Sequence, residues 1–411
     1  MIQYIGFDPS YAEHERTHWY PIEPERHVFI AGETGTGKST FFVNAATERM
    51  IAGDSILVVD PHGPLAEEIA NRVPRERLND VIYFDPTADH PLSLNPFDHP
   101  DKALARSLVK DLIEKTWPQG WGPQTDDIIT FVMLALQDVY AYPTLPLAQR
   151  FVRSAQFRKE VLQRVADSET LAYFREVFDG DWDKRMRAEK SAPVFNKLNK
   201  FVNEPVLRAI FSGRRSLDFR EAIDNRAILI FNLAQSRIGR PNTAFIGGIV
   251  AFKHQQALLS RQNLLSRGQT PRKSFAYFDE FQVVMGADMS VYLAESRKYG
   301  GCLMLGTQSF AMLPEHTKHL VLSNCGTQVL YRVSREDAEV FARDFGDEFS
   351  ATALTRTPDY YCYINTVRRH VPQKPMLIRT FSPAARSGRE PGLPAILKRM
   401  NHHFGTTSKA A

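Results

Sequence analysis

Cysteine is scarce in this chain: three residues, Cys302, Cys325 and Cys362, lie far apart in apolar stretches. An odd, scattered set excludes a disulfide framework and a thiolate zinc site, and reads as buried free thiols in a reducing compartment. No apolar run approaches the ~18 residues that a membrane span needs. The N-terminus lacks the charged-then-apolar order of a secretory signal. A cytoplasmic location is therefore expected, with peripheral membrane recruitment left open. No internal repeat or low-complexity tract stands out. Nor is there a large surplus of one charge: 51 Lys and Arg stand against 47 Asp and Glu, a net +4. That balance permits a nucleic-acid partner without arguing for one, because a focused patch matters more than the sum. What remains is 411 residues, 43% hydrophobic and 24% charged. This describes an ordinary globular protein long enough for two or three domains at ~150 residues each.

The most specific feature is Gly32-Glu33-Thr34-Gly35-Thr36-Gly37-Lys38-Ser39-Thr40, which fits the phosphate-loop pattern GxxxxGK[ST]. An apolar strand at 27–31 precedes it, and a helical pattern occupies 39–52 after it. Strand, glycine loop and helix N-terminus make an anion cradle: glycines let N–H groups turn inward, and the helix dipole favours phosphate charge. In the usual roles Lys38 reaches the β- and γ-phosphates and Ser39 coordinates Mg²⁺. The pattern implies a nucleoside triphosphate, ATP, with Mg²⁺ as cofactors.

Along the chain, residues 1–26 read as a polar, aromatic lead-in too short to fold alone. Strands at 27–31, 55–60 and 80–84 alternate with helices at 39–52 and 64–72, the pattern of a parallel sheet covered on both faces. From 101 to 222 the periodicity is helical throughout, as in Ile128, Ile129, Phe131, Val132, Leu134, Ala135 and Leu136. Helices are expected at 145–157, 159–166, 170–178 and 192–201. The α/β pattern resumes with a strand at 227–233 and a helix at 243–260, then strands at 275–278, 302–306 and 329–332. The predicted fold class is α/β, a phosphate-loop NTPase with a mostly parallel sheet interrupted by an all-α insert. The expected boundaries are a nucleotide-binding domain at 27–100 and 223–385, the insert at 101–222, and a partly ordered tail at 386–411.

A phosphate loop needs a carboxylate at a neighbouring strand end. Two candidates exist: Asp60 after Ile56-Leu57-Val58-Val59, and Asp279-Glu280 after Phe275-Ala276-Tyr277-Phe278. The second pair is chemically better, supplying Asp279 for the metal and Glu280 to polarise the attacking water. Asp60 stays the alternative, since ligands bind at the carboxyl ends of strands in open α/β sheets. Gln308 ends an apolar strand where it can sense a γ-phosphate or orient water; an exposed strand-end glutamine is the plainer reading. Arg297, in a helix ending at Gly300, has the guanidinium geometry of a finger acting on a neighbour's nucleotide, or merely favours a helix C-terminus. Its helix is expected on the far side of the Asp279 strand from the phosphate loop. Arg237 and Arg240 are candidate nucleic-acid contacts, against which stands the reading of solvated loop charges.

Taken together, these segments resemble the FtsK–HerA superfamily of ring-forming DNA motors, nearest to the coupling-protein ATPases of type IV secretion and conjugation. The matching segments are 31–40, Val59-Asp60-Pro61-His62-Gly63, Phe278-Asp279-Glu280-Phe281-Gln282, Ser296-Arg297-Lys298-Tyr299-Gly300 and Gly306-Thr307-Gln308. The helical insert, with Trp121-Gly122-Pro123 leading into a helix, resembles the all-α domain of coupling proteins. The resemblance implies a RecA-like nucleotide domain with Lys38, Ser39, Asp279 and Glu280 as hydrolytic core, Gln308 as γ-phosphate sensor and Arg297 acting in trans. It further implies a homo-hexameric DNA translocase, with a relaxase or secretion-channel component as protein partner. The alternative is a secretion or assembly ATPase acting on protein partners without DNA contact. The transmembrane helices of anchored coupling proteins and the N-terminal β-barrel of HerA-type motors are not expected from these 411 residues.

Overall fold

A computed structural model describes residues 3–284, 289–345, 350–383 and 388–404. Residues 386, 387 and 405–411 of the expected tail lie outside the described residues. The chain forms two compact units: Met1–Asp85, Phe219–Gln235 and Ala251–Ala411 in one, Pro86–Asp218 and Ser236–Val250 in the other.

Among the described residues, the first unit holds a single sheet of twelve strands. They are β1 (Gln3–Phe7), β2 (Trp19–Ile22), β3 (Val28–Ala31), β4 (Ser55–Asp60), β5 (Val81–Phe84), β6 (Ile228–Asn232), β7 (Ser274–Phe278), β8 (Gly301–Thr307), β9 (Thr327–Leu330), β10 (Tyr361–Arg368), β11 (Val371–Pro372) and β12 (Met376–Thr380). The order is β2-β1-β12-β10-β9-β3-β8-β7-β4-β6-β5, with β11 paired to β10. From β9 to β5 every pairing is parallel. The four strands β4, β6, β7 and β8 are buried along their whole length. Continuous apolar runs such as Ile228-Leu229-Ile230-Phe231 are what a strand covered on both faces requires.

Beyond β9 the sheet turns antiparallel, through β10, β12, β1 and β2. Along β10 buried and half-buried residues alternate, with Cys362, Ile364 and Thr366 inward. One covered face gives this two-residue period. The lead-in is therefore structured: its β1 pairs with β12, placing Gly6 opposite Thr380. A further helix, Gly392–Phe404, forms within the stretch expected to be a tail.

The second unit is helical among its described residues. Lys102–Thr116, Leu145–Arg153, Ala155–Leu162, Ser168–Ala172 and Lys184–Asn203 each begin at a side chain that accepts a first-turn N–H: Asp101, Thr144, Ser154, Asp167 and Asp183. Such caps satisfy donors that a helix start leaves open. Ser154 also corrects one expectation. The helix expected at 145–157 breaks at this residue, extended at φ −103°, ψ 108°, and its hydroxyl accepts from Phe157 N–H at 3.2 Å. Trp117, Phe201, Phe211 and Phe245 interlock at centroid distances of 5.1 to 5.8 Å and form an aromatic core for this unit. No helix among the described residues is long and apolar enough to cross a membrane.

Candidate nucleotide site

β3 leads into the phosphate loop, and the helix Lys38–Ile51 starts directly from it with Gly37 at the N-cap. No side chain caps that start, so first-turn N–H groups are left for an anion. Gly37 adopts φ 123°, and a Cβ there would lie 2.9 Å from Tyr331. Only glycine fits this position. Thr36 donates its hydroxyl to the Glu33 carbonyl at 2.8 Å, closing the loop on itself. Lys38, 7% exposed, donates its ammonium to the carbonyls of Gly32 and Glu33, the latter at 3.2 Å. Burial lowers its pKa, while Glu280, Asp279 and Glu33 pull the other way.

β8 lies between β3 and β7 in the sheet. The carboxyl ends of all three parallel strands therefore fall on one edge. Aromatic packing fixes the segments just beyond those ends. Phe281, next to Glu280, and Phe310, two residues after Gln308, both pack on Phe29 of β3, at 6.4 and 5.2 Å between centroids. Contacts of this kind contribute about 0.5–1.5 kcal/mol each beyond burial. The buried Asp337 carboxylate accepts from Phe310 N–H at 2.9 Å and Ala311 N–H at 2.6 Å, tying down the segment after Gln308.

One cavity of about 170 Å³ results, lined by Glu33, Thr34, Gly35, Gly37, Lys38, Ser39, Thr40, Asp279, Glu280, Gln308 and Tyr360. Within it Glu280 is 6% exposed and sits at φ 42°, a left-handed backbone that a glutamate seldom adopts. Its carboxylate accepts from Gln282 Nε2 at 2.7 Å and from the Gln308 backbone N–H at 3.2 Å. Asp279 is pushed up to about 7 by burial first, then by the neighbouring charges of Asp60 and Glu280, against which Lys38 acts. Clustered carboxylates with little counter-charge are suited to a hard cation that takes oxygen ligands. Among the described residues no group of three or more His, Cys, Asp or Glu is arranged to hold a metal ion.

Asp60, the alternative acid, is fully buried, and its oxygens accept from His62 N–H at 2.8 Å and Ala66 N–H at 3.0 Å. It holds the start of the helix Pro64–Ala70. Arg297 is exposed in the short helix Ser296–Tyr299, which leads into the amino end of β8. The expectation that it lies beyond the Asp279 strand is corrected, since β8 stands between β3 and β7. Arg297 is instead at the opposite end of the strands from its own phosphate loop. Arg237 and Arg240 are exposed residues of the helical unit, at Gln235–Ile238 and at the start of Arg240–Leu259.

Two features of the site carry no sequence signal. Arg332 reaches Glu33 at 3.2 Å and Asp359 at 2.9 Å, tethering the loop to the chain after β9. Tyr360 lines the cavity from a position 320 residues beyond the loop's Thr40. Arg332 is placed by the parallel pairing of β9 with β3, and Tyr360 stands just before β10, in the antiparallel part of the sheet, whose pairing no local motif announces.

Residues 228–355 match the family model described as the type IV secretion-system coupling protein DNA-binding domain. No curated protein matches the chain. Among solved structures, the chain is similar to the bacterial conjugative coupling protein TrwBdeltaN70 at 15% identity and TM-score 0.62, covering 90% of this chain and 87% of that one. It is similar to the plasmid coupling protein TrwB in complex with ADP and Mg²⁺ at 15% identity, TM-score 0.61, with 90% and 88% covered. It is also similar to VirB4 of Thermoanaerobacter pseudethanolicus at 12% identity, TM-score 0.63, with 93% and 96% covered. The α/β phosphate-loop fold and the resemblance to coupling proteins read from the five motifs are borne out by these matches.

Proposed function

We propose that the chain is an Mg·ATP hydrolase working as a motor on DNA in conjugation, type IV secretion or a related process. The observation that carries this is the convergence of phosphate loop, Asp279, Glu280 and Gln308 on one cavity. Lys38 moves from its loop carbonyls to the β- and γ-phosphates, and Glu280 polarises the attacking water. The bond from Gln308 N–H to Glu280 ties the sensor strand to that carboxylate. Ser39 and Asp279 would hold Mg²⁺, which neutralises phosphate charge when bound. The fit is chemical: two oxygen donors leave room for phosphates and water, as Mg²⁺ prefers. TrwB solved with ADP and Mg²⁺ supports this choice of ligands.

In this reading the sheet unit binds the nucleotide and the helical unit docks substrate. Six copies form a ring in the cytoplasm, Arg297 acts on the neighbour's nucleotide, and Arg237 and Arg240 meet DNA phosphates. The experiment is ATP turnover with no DNA, with single strands and with duplex, over a salt series. Phosphate contacts make DNA affinity fall steeply with salt. Stimulation by either form, lost at high salt, supports the motor. ATP turnover indifferent to DNA, with no DNA binding at low salt, favours an ATPase acting on protein partners.

A further inference from the structure

We infer that Tyr360 is the seat of the nucleotide base, a stacking platform for a purine at the mouth of the phosphate cavity. This rests on the nucleotide reading above and adds what that reading leaves open, how the nucleoside end is held.

The backbone at Tyr360 is over-determined. Its N–H donates to the Thr36 carbonyl at 2.7 Å, and its carbonyl accepts from both Thr380 N–H and Thr380 Oγ1 at 2.9 Å. These bonds run from the phosphate loop through Tyr360 to β12, and backbone atoms of any residue would supply them. They hold the residue at φ 66°, a left-handed conformation that is strained for a tyrosine. Strain of this kind persists when the surrounding structure over-determines it, as these bonds do.

The side chain does little for the fold. It is 47% exposed, and among the described residues its hydroxyl makes no hydrogen bond and no aromatic ring stacks on it. Its ring stands against Gly37, with Cδ1 3.3 Å from where a Cβ would be. The other lining residues are glycines or carry polar or charged side chains. Such a lining suits phosphates and metal and offers nothing to the flat, apolar part of a nucleotide. Tyr360 supplies the missing face. A ring reads a base by its π-face and not by its edge, so adenine and guanine should serve alike and smaller pyrimidines less well.

The test is calorimetric titration of the full chain with Mg·ATP, Mg·GTP, Mg·CTP and Mg·tripolyphosphate, the last carrying the phosphates without a base. Tyr360→Ala should weaken ATP and GTP about tenfold, on the scale of one lost base–aromatic stack. CTP should weaken less, and tripolyphosphate should stay within about twofold. Tyr360→Phe and Tyr360→Trp should bind as wild type. Tyr360→Leu, which keeps bulk at the same turn without a π-face, should behave as Tyr360→Ala and guards against a folding defect. Equal losses for ATP and tripolyphosphate in both Tyr360→Ala and Tyr360→Leu would make the ring a brace of the loop and overturn the inference. Unchanged ATP affinity would overturn it too. A wild-type chain that binds neither ATP nor tripolyphosphate removes the nucleotide reading itself, a result distinct from either.

Discussion

The two ends of the parallel strands treat buried polar groups in opposite ways. At the amino ends, His27 is 1% exposed and sits at φ 54°, yet both ring nitrogens are satisfied. Nδ1 accepts from Leu303 N–H at 3.1 Å and Nε2 donates to the Leu293 carbonyl at 3.1 Å, which fixes a neutral tautomer. Burial holds its pKa down at about 4. At the carboxyl ends, burial first and then the charges of Asp60 and Glu280 raise Asp279 to about 7. At the amino end, His27 has internal partners for both ring nitrogens. The carboxyl end keeps charge that a cation and a polyphosphate would complete. The difference teaches that strain alone does not mark a site, since His27 and Glu280 both have positive φ. Unsettled charge beside an uncapped helix start marks it.

Arg297 can break this comparison, because it lies at the amino end. If it acts in trans, Arg297→Ala should cut turnover by ~10³-fold or more while ATP affinity changes little. Mixing this variant with Lys38→Ala should restore part of the activity, since some interfaces then pair an intact loop with an intact arginine. Mixed rings confirmed by mass but still inactive would make Arg297 a structural residue.

His27→Ala sharpens the comparison from the other side. It leaves the Leu303 N–H and Leu293 carbonyl buried without partners, at about 1–3 kcal/mol each. Chemical denaturation should show that loss, and calorimetry should show an unchanged Kd for Mg·ATP. A weakened Kd with normal stability would mean that the two ends are coupled.

The smallest effect concerns pH, where the ends carry opposite signs. Asp279 has its pKa raised from 3.8 to about 7, so the ligand-free native state binds more protons than the unfolded one in that window. Its contribution to stability falls as pH rises from about 4 to 7. His27 is lowered from 6.5 to about 4, so its contribution rises with pH between those values and is lost as pH falls through them. Asp279→Asn should therefore raise the ligand-free Tm more at pH 7.5 than at pH 5, by a few degrees. His27→Ala should cost more at pH 7.5 than at pH 5. Parallel melting profiles of wild type and Asp279→Asn would show that Asp279 is not held protonated.

Much of the site was legible because its motifs are local. The phosphate loop lies between its strand and helix in nine consecutive residues, Gly32 to Thr40. The strands before Asp279 and Gln308 are continuous apolar runs, as full burial demands. The antiparallel part was hidden because it joins residues 3–7 to 376–380, and because β10 buries only alternate residues. Tyr360 reaches the loop through that part and shares its invisibility. The helix Gly392–Phe404 was obscured by Pro391, Gly392 and Pro394. These read as breakers but stand at or before the first turn, where a missing N–H costs nothing. Ser154 hid a helix boundary in the same way, by capping within an unbroken apolar period.

The central claim is that Glu280 is the carboxylate that activates water beside a bound Mg·ATP, and Glu280→Gln tests it most directly. Equilibrium binding and steady-state turnover should be measured on one preparation. The amide keeps an acceptor for Gln308 N–H and leaves Asp279 and the phosphate loop intact. Mg·ATP should therefore bind as in wild type while turnover falls about 10²–10⁴-fold, the usual loss when a general base is removed. Turnover at the wild-type rate with normal binding would contradict the assignment and direct attention to Asp60.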